Sequence, residues 1–196
     1  MRTRESSCQI TQVEPACEDE RRSPTLRDIF DSELHFVWRS LRRLGVPDRD
    51  LEDVAHEVFV VVHRHLGQYD PARPLRPWLF AMAFRCASEY RRRPRHRREV
   101  FEDQTLDHSD SAEPVDEALM RAQERNIARQ ALLRVPEDRR AVLILHDFDE
   151  VPMHEVAAAL EIPLKTAYSR LRIGREELIA AARRLQKRRS VNAEQP

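Results

Sequence analysis

Apolar residues recur every three to four positions through most apolar-rich stretches of this chain, and the breaks fall at Gly and Pro. That period gathers them on one face of an α-helix but scatters them over both faces of a strand, so it selects a helical fold. Leu26, Ile29, Phe30, Phe36, Val37, Leu41 and Leu44 make the first run. Ser23 or Thr25 can cap its start, with Pro24 in the first turn, and Gly45 is placed to end it. Asp50 can cap a second helix that carries Leu51, Val54, Ala55, Val58, Phe59, Val62 and Leu66 and stops at Gly67. A third starts near Pro77, carries Trp78, Leu79, Met82, Ala83, Cys86, Ala87 and Tyr90, and ends at Pro94. Only 3 glycines occur in 196 residues, as expected where helices dominate.

The pattern fails between Arg95 and about Val115. A basic block gives way to Glu99, Glu102, Asp103, Asp107, Asp110 and Glu113 with no apolar period. Such a segment lacks the apolar surface to offset its ordering entropy and reads as a flexible acidic linker. Helical spacing returns with Leu119, Ala122, Ile127, Ala131 and Leu133, and Pro136 opens a further helix. Asp147-Phe148-Asp149-Glu150 is expected to break it. The expected organisation is a disordered tail over 1–22, a three-helix-type domain over 23–94 and a linker over 95–118. A helix-turn-helix domain over 119–188 and a tail over 189–196 follow. The fold class is all-α with two small domains.

The helix-turn-helix expectation rests on Met153 to Leu160, the turn Glu161-Ile162-Pro163, and a second helix from Leu164 studded with Arg. At about 100° per residue, Ala167, Leu171, Gly174 and Leu178 share a core face. Lys165, Ser169 and Arg172 point away from it, and Tyr168, Ile173 and Arg175 flank them. Arg and Ser suit base edges in the major groove, while Lys and Arg neutralise phosphates. The bland alternative is an amphipathic helix with a solvated basic face; the short partner helix and the turn favour DNA. A second basic surface surrounds Trp78 and Tyr90, with Arg73 and Arg76 upstream and Arg85, Arg91, Arg92 and Arg93 downstream. Bases with aromatics suit strand-separated DNA, although a charge run at a helix end also complements the dipole. Asp53, His56 and Glu57 form a polar cluster beside an apolar stripe, readable as capping with a solvated edge or as a docking surface.

Formal net charge is zero, but basic and acidic residues lie in separate blocks. A free-standing DNA binder gains affinity from excess positive charge; a subunit that meets DNA inside a larger enzyme does not need it. Cys8, Cys17 and Cys86 form no Cys-x-x-Cys pair, and Cys86 reads as a small core residue. There is no Gly-rich phosphate loop and no nucleophile–base pairing, so no catalytic residue, metal or cofactor is expected. No apolar run is long enough to span a bilayer and no signal peptide follows Met1, so a cytoplasmic protein without membrane insertion is expected.

These segments resemble a bacterial RNA polymerase sigma factor of the extracytoplasmic-function group. Arg43-Leu44-Gly45-Val46, Asp50-Leu51-Glu52-Asp53-Val54-Ala55-His56-Glu57-Val58-Phe59 and Pro77-Trp78-Leu79-Phe80 are similar to its first domain. Pro136-Glu137-Asp138-Arg139-Arg140-Ala141-Val142-Leu143 and Thr166-Ala167-Tyr168-Ser169-Arg170-Leu171 are similar to its second. The resemblance implies a promoter-specificity subunit that supports DNA melting, with core RNA polymerase and promoter DNA as partners. An anti-sigma factor is a further partner the resemblance allows. Asp53, His56 and Glu57 would dock on the clamp helices of the polymerase largest subunit. Arg73, Arg76, Trp78, Arg85, Glu89 and Arg92 would read and hold the melted −10 element. Lys165, Thr166, Tyr168, Ser169, Arg172 and Arg175 would read the −35 element as duplex.

The resemblance also exposes departures. His56 stands where the family usually has Gln, Arg85 where it usually has Asn, and Glu89 where Asp is common. Asp149-Glu150 replaces a segment that usually ends in Gly. The competing reading is an autonomous helix-turn-helix regulator with a sensing or dimerising first domain. It leaves the joint presence of the Asp53–Phe59 helix and the Trp78 segment without a purpose.

Overall fold

The computed structural model describes residues 24–93 and 115–193, with side chains over 24–93 and 122–188. The expected N-terminal tail, Cys8, Cys17 and the linker through Pro114 lie outside the described residues. Seven α-helices follow in order: α1 (Leu26–Leu44), α2 (Leu51–His65), α3 (Leu75–Arg92), α4 (Val115–Leu133), α5 (Glu137–Leu143), α6 (Met153–Ala159) and α7 (Leu164–Ala193). Among the described residues there is no strand.

Local chemistry accounts for the ends of α1. The Thr25 hydroxyl accepts the Asp28 N–H at 3.2 Å, and the Asp28 carboxylate accepts the Thr25 N–H at 2.9 Å. This reciprocal box makes Thr25 the cap and leaves Pro24 before the helix. At the other end Gly45 adopts φ 96°, its N–H bonds Arg42 O at 3.2 Å, and Val46 N–H bonds Leu41 O at 3.0 Å. That left-handed Schellman closure favours a residue without Cβ.

Other ends depart from expectation. Asp50 precedes α2 but makes no capping bond; its carboxylate accepts the Tyr90 hydroxyl at 2.6 Å instead. Gly67 sits inside a short 3-10 turn, Leu66–Gln68, after α2 has ended at His65. α3 starts at Leu75, so Pro77 falls in its first turn, where a missing N–H costs nothing. α4 already begins at Val115, and α7 reaches Ala193, past the expected edges of the linker and the C-terminal tail. The chain does not break at Asp147: α5 continues as a π-helical turn, Ile144–Phe148, and the bend falls at Glu150 with φ 55°.

α1, α2 and α3 pack on one another, while α4, α5 and α6 pack against α7. Phe36, Leu41, Val58, Val62, Leu79 and Phe80 are buried in the first group, and Leu132, Val142, Leu143, Ile144, Val156 and Leu171 in the second. Fully burying each such side chain stabilises the fold by about 1.5–3 kcal/mol. The two groups are not merely tethered. α1 meets α4 and α5, α3 meets α6, and the buried apolar residues form one continuous cluster.

Arg140 lies in this joint, 8% exposed. Its guanidinium donates to Leu44 O, Leu133 O and Val135 O, each at 2.9 Å. Burial first, then the neighbouring Arg91 charge, pull its pKa down to about 10. A Cβ on Gly45 would stand 3.1 Å from both Arg140 Nη1 and Leu133 Cδ2. Backbone conformation and space therefore both require glycine at this position. We expect Gly45→Ala to lower the unfolding free energy by about 1–2 kcal/mol in urea titration. A change of only a few tenths would show that neither constraint acts.

Candidate nucleic-acid interface

The first two turns of α7 sort their residues as a groove-reading helix requires. Ala167 and Leu171 are buried, and Gly174 is so close to α5 that a Cβ would lie 3.1 Å from Leu143 Cδ1. Lys165, Tyr168, Ser169, Arg172 and Arg175 are exposed, and Thr166 is half-buried on the flank. Tyr168 is 56% exposed, unusually open for a large ring. α6 precedes α7 through a Schellman turn in which Ile162 N–H bonds Ala157 O at 3.0 Å. Glu161 takes the left-handed position with φ 55°, normally a glycine site.

Two of these arginines are already engaged. Arg175 grips Asp147 with both arms of its guanidinium, Nε at 2.9 Å and Nη2 at 2.5 Å. That hydrogen bonding raises its pKa further. Arg172 pairs with Glu176 one turn on at 2.8 Å. Asp147 was not identified from sequence; nothing in the local pattern says that the π turn carries it to α7. Arg170, which belongs to none of the expected contact sets, pairs with Asp138 of α5 at 3.4 Å and holds α7 to its neighbour.

On α3 the spacing of Trp78, Arg85, Glu89 and Arg92 puts them within about 60° of one another around the helix. Arg85, Glu89 and Arg92 are exposed. Trp78 is half-buried because its ring packs on Tyr69, 5.0 Å between centroids. Arg73, Trp78 and Arg85 come together around a cleft of about 780 Å³, with His65, Tyr69, His154 and Glu161 on its walls. Tyr69 is the residue that sequence reasoning missed here; an aromatic in the Pro-rich loop was its signal. Arg76 is not part of this group. It turns to α1, bonding Glu33 at 3.0 Å with its guanidinium 5.5 Å from the Phe36 ring.

Asp53 and His56 are exposed on α2, and Glu57 is half-buried beside them. Glu57 accepts two hydrogen bonds from Arg93, at 2.9 and 3.0 Å, from the end of α3. Asp50, Tyr90 and Arg93 complete a shallow concavity around the three. Phe59 on the same helix packs at a tilt against Phe30, 4.8 Å between centroids, and Phe30 is 43% exposed rather than in the core. Cys86 is buried and unpaired, and its burial pushes the thiol up to about 11. Among the described residues no cluster of His, Cys, Asp or Glu could hold a metal ion, and no helix is long and apolar enough to cross a membrane.

The chain matches models and relatives from among the sigma factors. The family model for sigma-70 region 2 matches residues 29–98, and that for sigma-70 region 4 matches residues 125–178. The RNA polymerase sigma-H factor of Pseudomonas aeruginosa is 27% identical over 138 residues, covering 66% of this chain and 72% of that protein. The ECF RNA polymerase sigma-E factor of Escherichia coli K12 is 28% identical over 141 residues, covering 68% and 74%. Two solved structures share the fold. The sigma factor RpoE of Bartonella quintana, in complex with the anti-sigma factor NepR, matches with a TM-score of 0.58 and 21% identity, over 79% of this chain and 96% of that one. CnrH in complex with the cytosolic domain of CnrY matches with a TM-score of 0.55 and 23% identity, over 79% and 85%. With both regions present in order and these relatives spanning them, the chain belongs to the sigma-70 family of RNA polymerase sigma factors, in its extracytoplasmic-function group.

Proposed function

We propose that this promoter-recognition subunit divides its work among three surfaces. Asp53, His56 and Glu57 on α2 dock on the clamp helices of the polymerase largest subunit. The face of α3 with Trp78, Arg85, Glu89 and Arg92, together with Arg73, holds the melted −10 strand, while Arg76 stays on Glu33 of α1. The exposed face of α7, with Lys165, Thr166, Tyr168, Ser169, Arg172 and Arg175, reads the −35 duplex. The sorting of α7 carries this reading: Ala167 is buried and Gly174 lies against α5 while its donors face outward. Bases of single-stranded DNA stack on aromatic faces while cations meet the backbone, which suits Trp78 and Tyr69 beside Arg73 and Arg85.

The chain selects a promoter and supports melting, with no bond made or broken by its own residues. It works in the cytoplasm, where the polymerase and the DNA are. An anti-sigma factor is a partner of the same kind as NepR, which is bound to the Bartonella relative.

Transcription reconstituted from core polymerase, this chain and genomic templates should yield promoter-dependent transcripts. Their absence from every template would overturn the reading. Arg172→Ala should weaken −35 use by about 1–3 kcal/mol, the worth of a base contact, read as an altered −35 preference in a promoter library. Asp53→Arg should reduce binding to core polymerase with an unchanged circular dichroism spectrum; normal core affinity would remove Asp53 from the docking surface.

A further inference from the structure

Two arginines on the exposed side of α7 are held in different ways. Arg172 gives one nitrogen, Nη1, to Glu176 Oε1 at 2.8 Å within the same helix, and the two side chains are 68% and 64% exposed. Such a pair is weak. Arg175 instead gives Nε and Nη2 to the two oxygens of Asp147, at 2.9 and 2.5 Å. Two parallel bonds fix the plane of a guanidinium, which one bond does not. Asp147 comes from the π turn and stands on a fixed mount. Ile144 and Leu145 of that turn are fully buried, Asp149 N–H bonds Ile144 O at 3.0 Å, and Val151 N–H bonds Leu145 O at 2.9 Å. The backbone is therefore tied on both sides of Asp147.

A guanidinium carries five N–H donors. Asp147 takes the Nε hydrogen and one on Nη2, along one edge of the group. The other Nη2 hydrogen and its neighbour on Nη1 form the adjacent edge, which carries no hydrogen bond among the described residues. The Arg175 side chain is 51% exposed, so solvent reaches it. At 100° per residue Arg175 lies about 85° round α7 from the middle of the Lys165, Ser169 and Arg172 strip. At 1.5 Å per residue it stands about 15 Å beyond Lys165 along the axis. A groove-reading helix meets base edges with its N-terminal residues. A residue on the flank, more than three turns in, meets instead the strand that walls the groove. Phosphates there offer two oxygens to a flat two-donor edge.

We infer that Asp147 is a positioning residue for DNA: it fixes Arg175 so that the outer edge of the guanidinium clamps one backbone phosphate beside the −35 groove and sets the register of α7. This rests on the −35 surface assigned under Proposed function. A carboxylate this close to DNA repels phosphates, so by charge alone Asp147 weakens binding. By holding Arg175 in place it strengthens binding, and this effect is the larger. The two effects have opposite signs, so one substitution tells them apart.

The test measures binding of polymerase, reconstituted with the full chain, to a labelled promoter fragment over a range of salt. Asp147→Asn makes the surface one charge more positive, yet should weaken binding by about threefold or more. Asp147→Glu keeps the carboxylate and should bind more tightly than Asp147→Asn despite its negative charge. Arg175→Gln should weaken binding by about tenfold, equally for all −35 sequences, and lower the salt slope by about one. The double variant Asp147→Asn, Arg175→Gln should bind no more weakly than Arg175→Gln alone, because Asp147 acts through Arg175. Single neutral methylphosphonates, scanned through the −35 region, should locate one phosphate whose charge matters to wild type and to neither single variant. Unchanged or tighter binding by Asp147→Asn, or tighter binding by Asp147→Asn than by Asp147→Glu, overturns the positioning role. A loss in Arg175→Gln confined to one base pair, with no phosphate dependence, overturns the clamp. In either case Arg172→Ala still weakens −35 use and the surface assignment stands. If Arg172→Ala and Arg175→Gln both leave promoter binding unchanged, that assignment falls instead.

Discussion

A single buried guanidinium ties the two halves of this molecule to each other. Among the described residues the Arg140 guanidinium hydrogen-bonds only carbonyl oxygens, with the Glu137 carboxylate close enough to offset part of its burial. Its charge is met by carbonyl oxygens at helix ends, Leu44 O of α1 and Leu133 O of α4, together with Val135 O. Helix C-termini carry unsatisfied carbonyls and the negative end of the macrodipole, so these two acceptors, with the Val135 carbonyl, offset part of the desolvation of one arginine. Gly45 makes the approach possible by leaving the space a Cβ would fill. Arg91 donates to the same Leu44 oxygen and also pairs with Glu137, adding a second bridge between α3 and α5.

From that joint outward the structure separates strong contacts from weak ones. The apolar core that runs through α1–α3 and α4–α7 is buried, with Leu79, Phe80, Leu143 and Ile144 fully so. The Arg85–Glu161 contact between the proposed DNA-reading faces is charged and partly exposed. Ion pairs of this kind are weak in water. Arg85, Arg172 and Arg175 each pair with a carboxylate, on Glu161, Glu176 and Asp147.

Much of the fold was legible in the residues because helices write their chemistry locally. The stripe of Leu41, Leu44, Val58 and Val62, the stop at Gly45 and the outward set on α7 each depend on neighbours within a few positions. The errors came where a side chain found a better distant partner. Asp50 reads as a cap, but the Tyr90 hydroxyl takes its carboxylate from α3. Arg76 reads as a companion of Trp78, but Glu33 and Phe36 draw it to α1. Asp147 reads as a break, yet it sits in a π turn and orients Arg175. No period within a segment reports such a partner.

The amino-acid order alone settled which segments become helices, which faces they bury and which residues α7 turns outward. These follow from a repeat of 3.6 residues and from the backbone freedom of Gly and the lack of it in Pro. The tertiary structure alone decided that Arg140 would close on Leu44, that Glu57 would hold Arg93, and that Arg85 would reach Glu161. Those pairs join residues 36 to 96 positions apart. Which distant charges meet depends on how packed helices are angled and spaced, and that is set by the core as a whole rather than by any one stretch of chain.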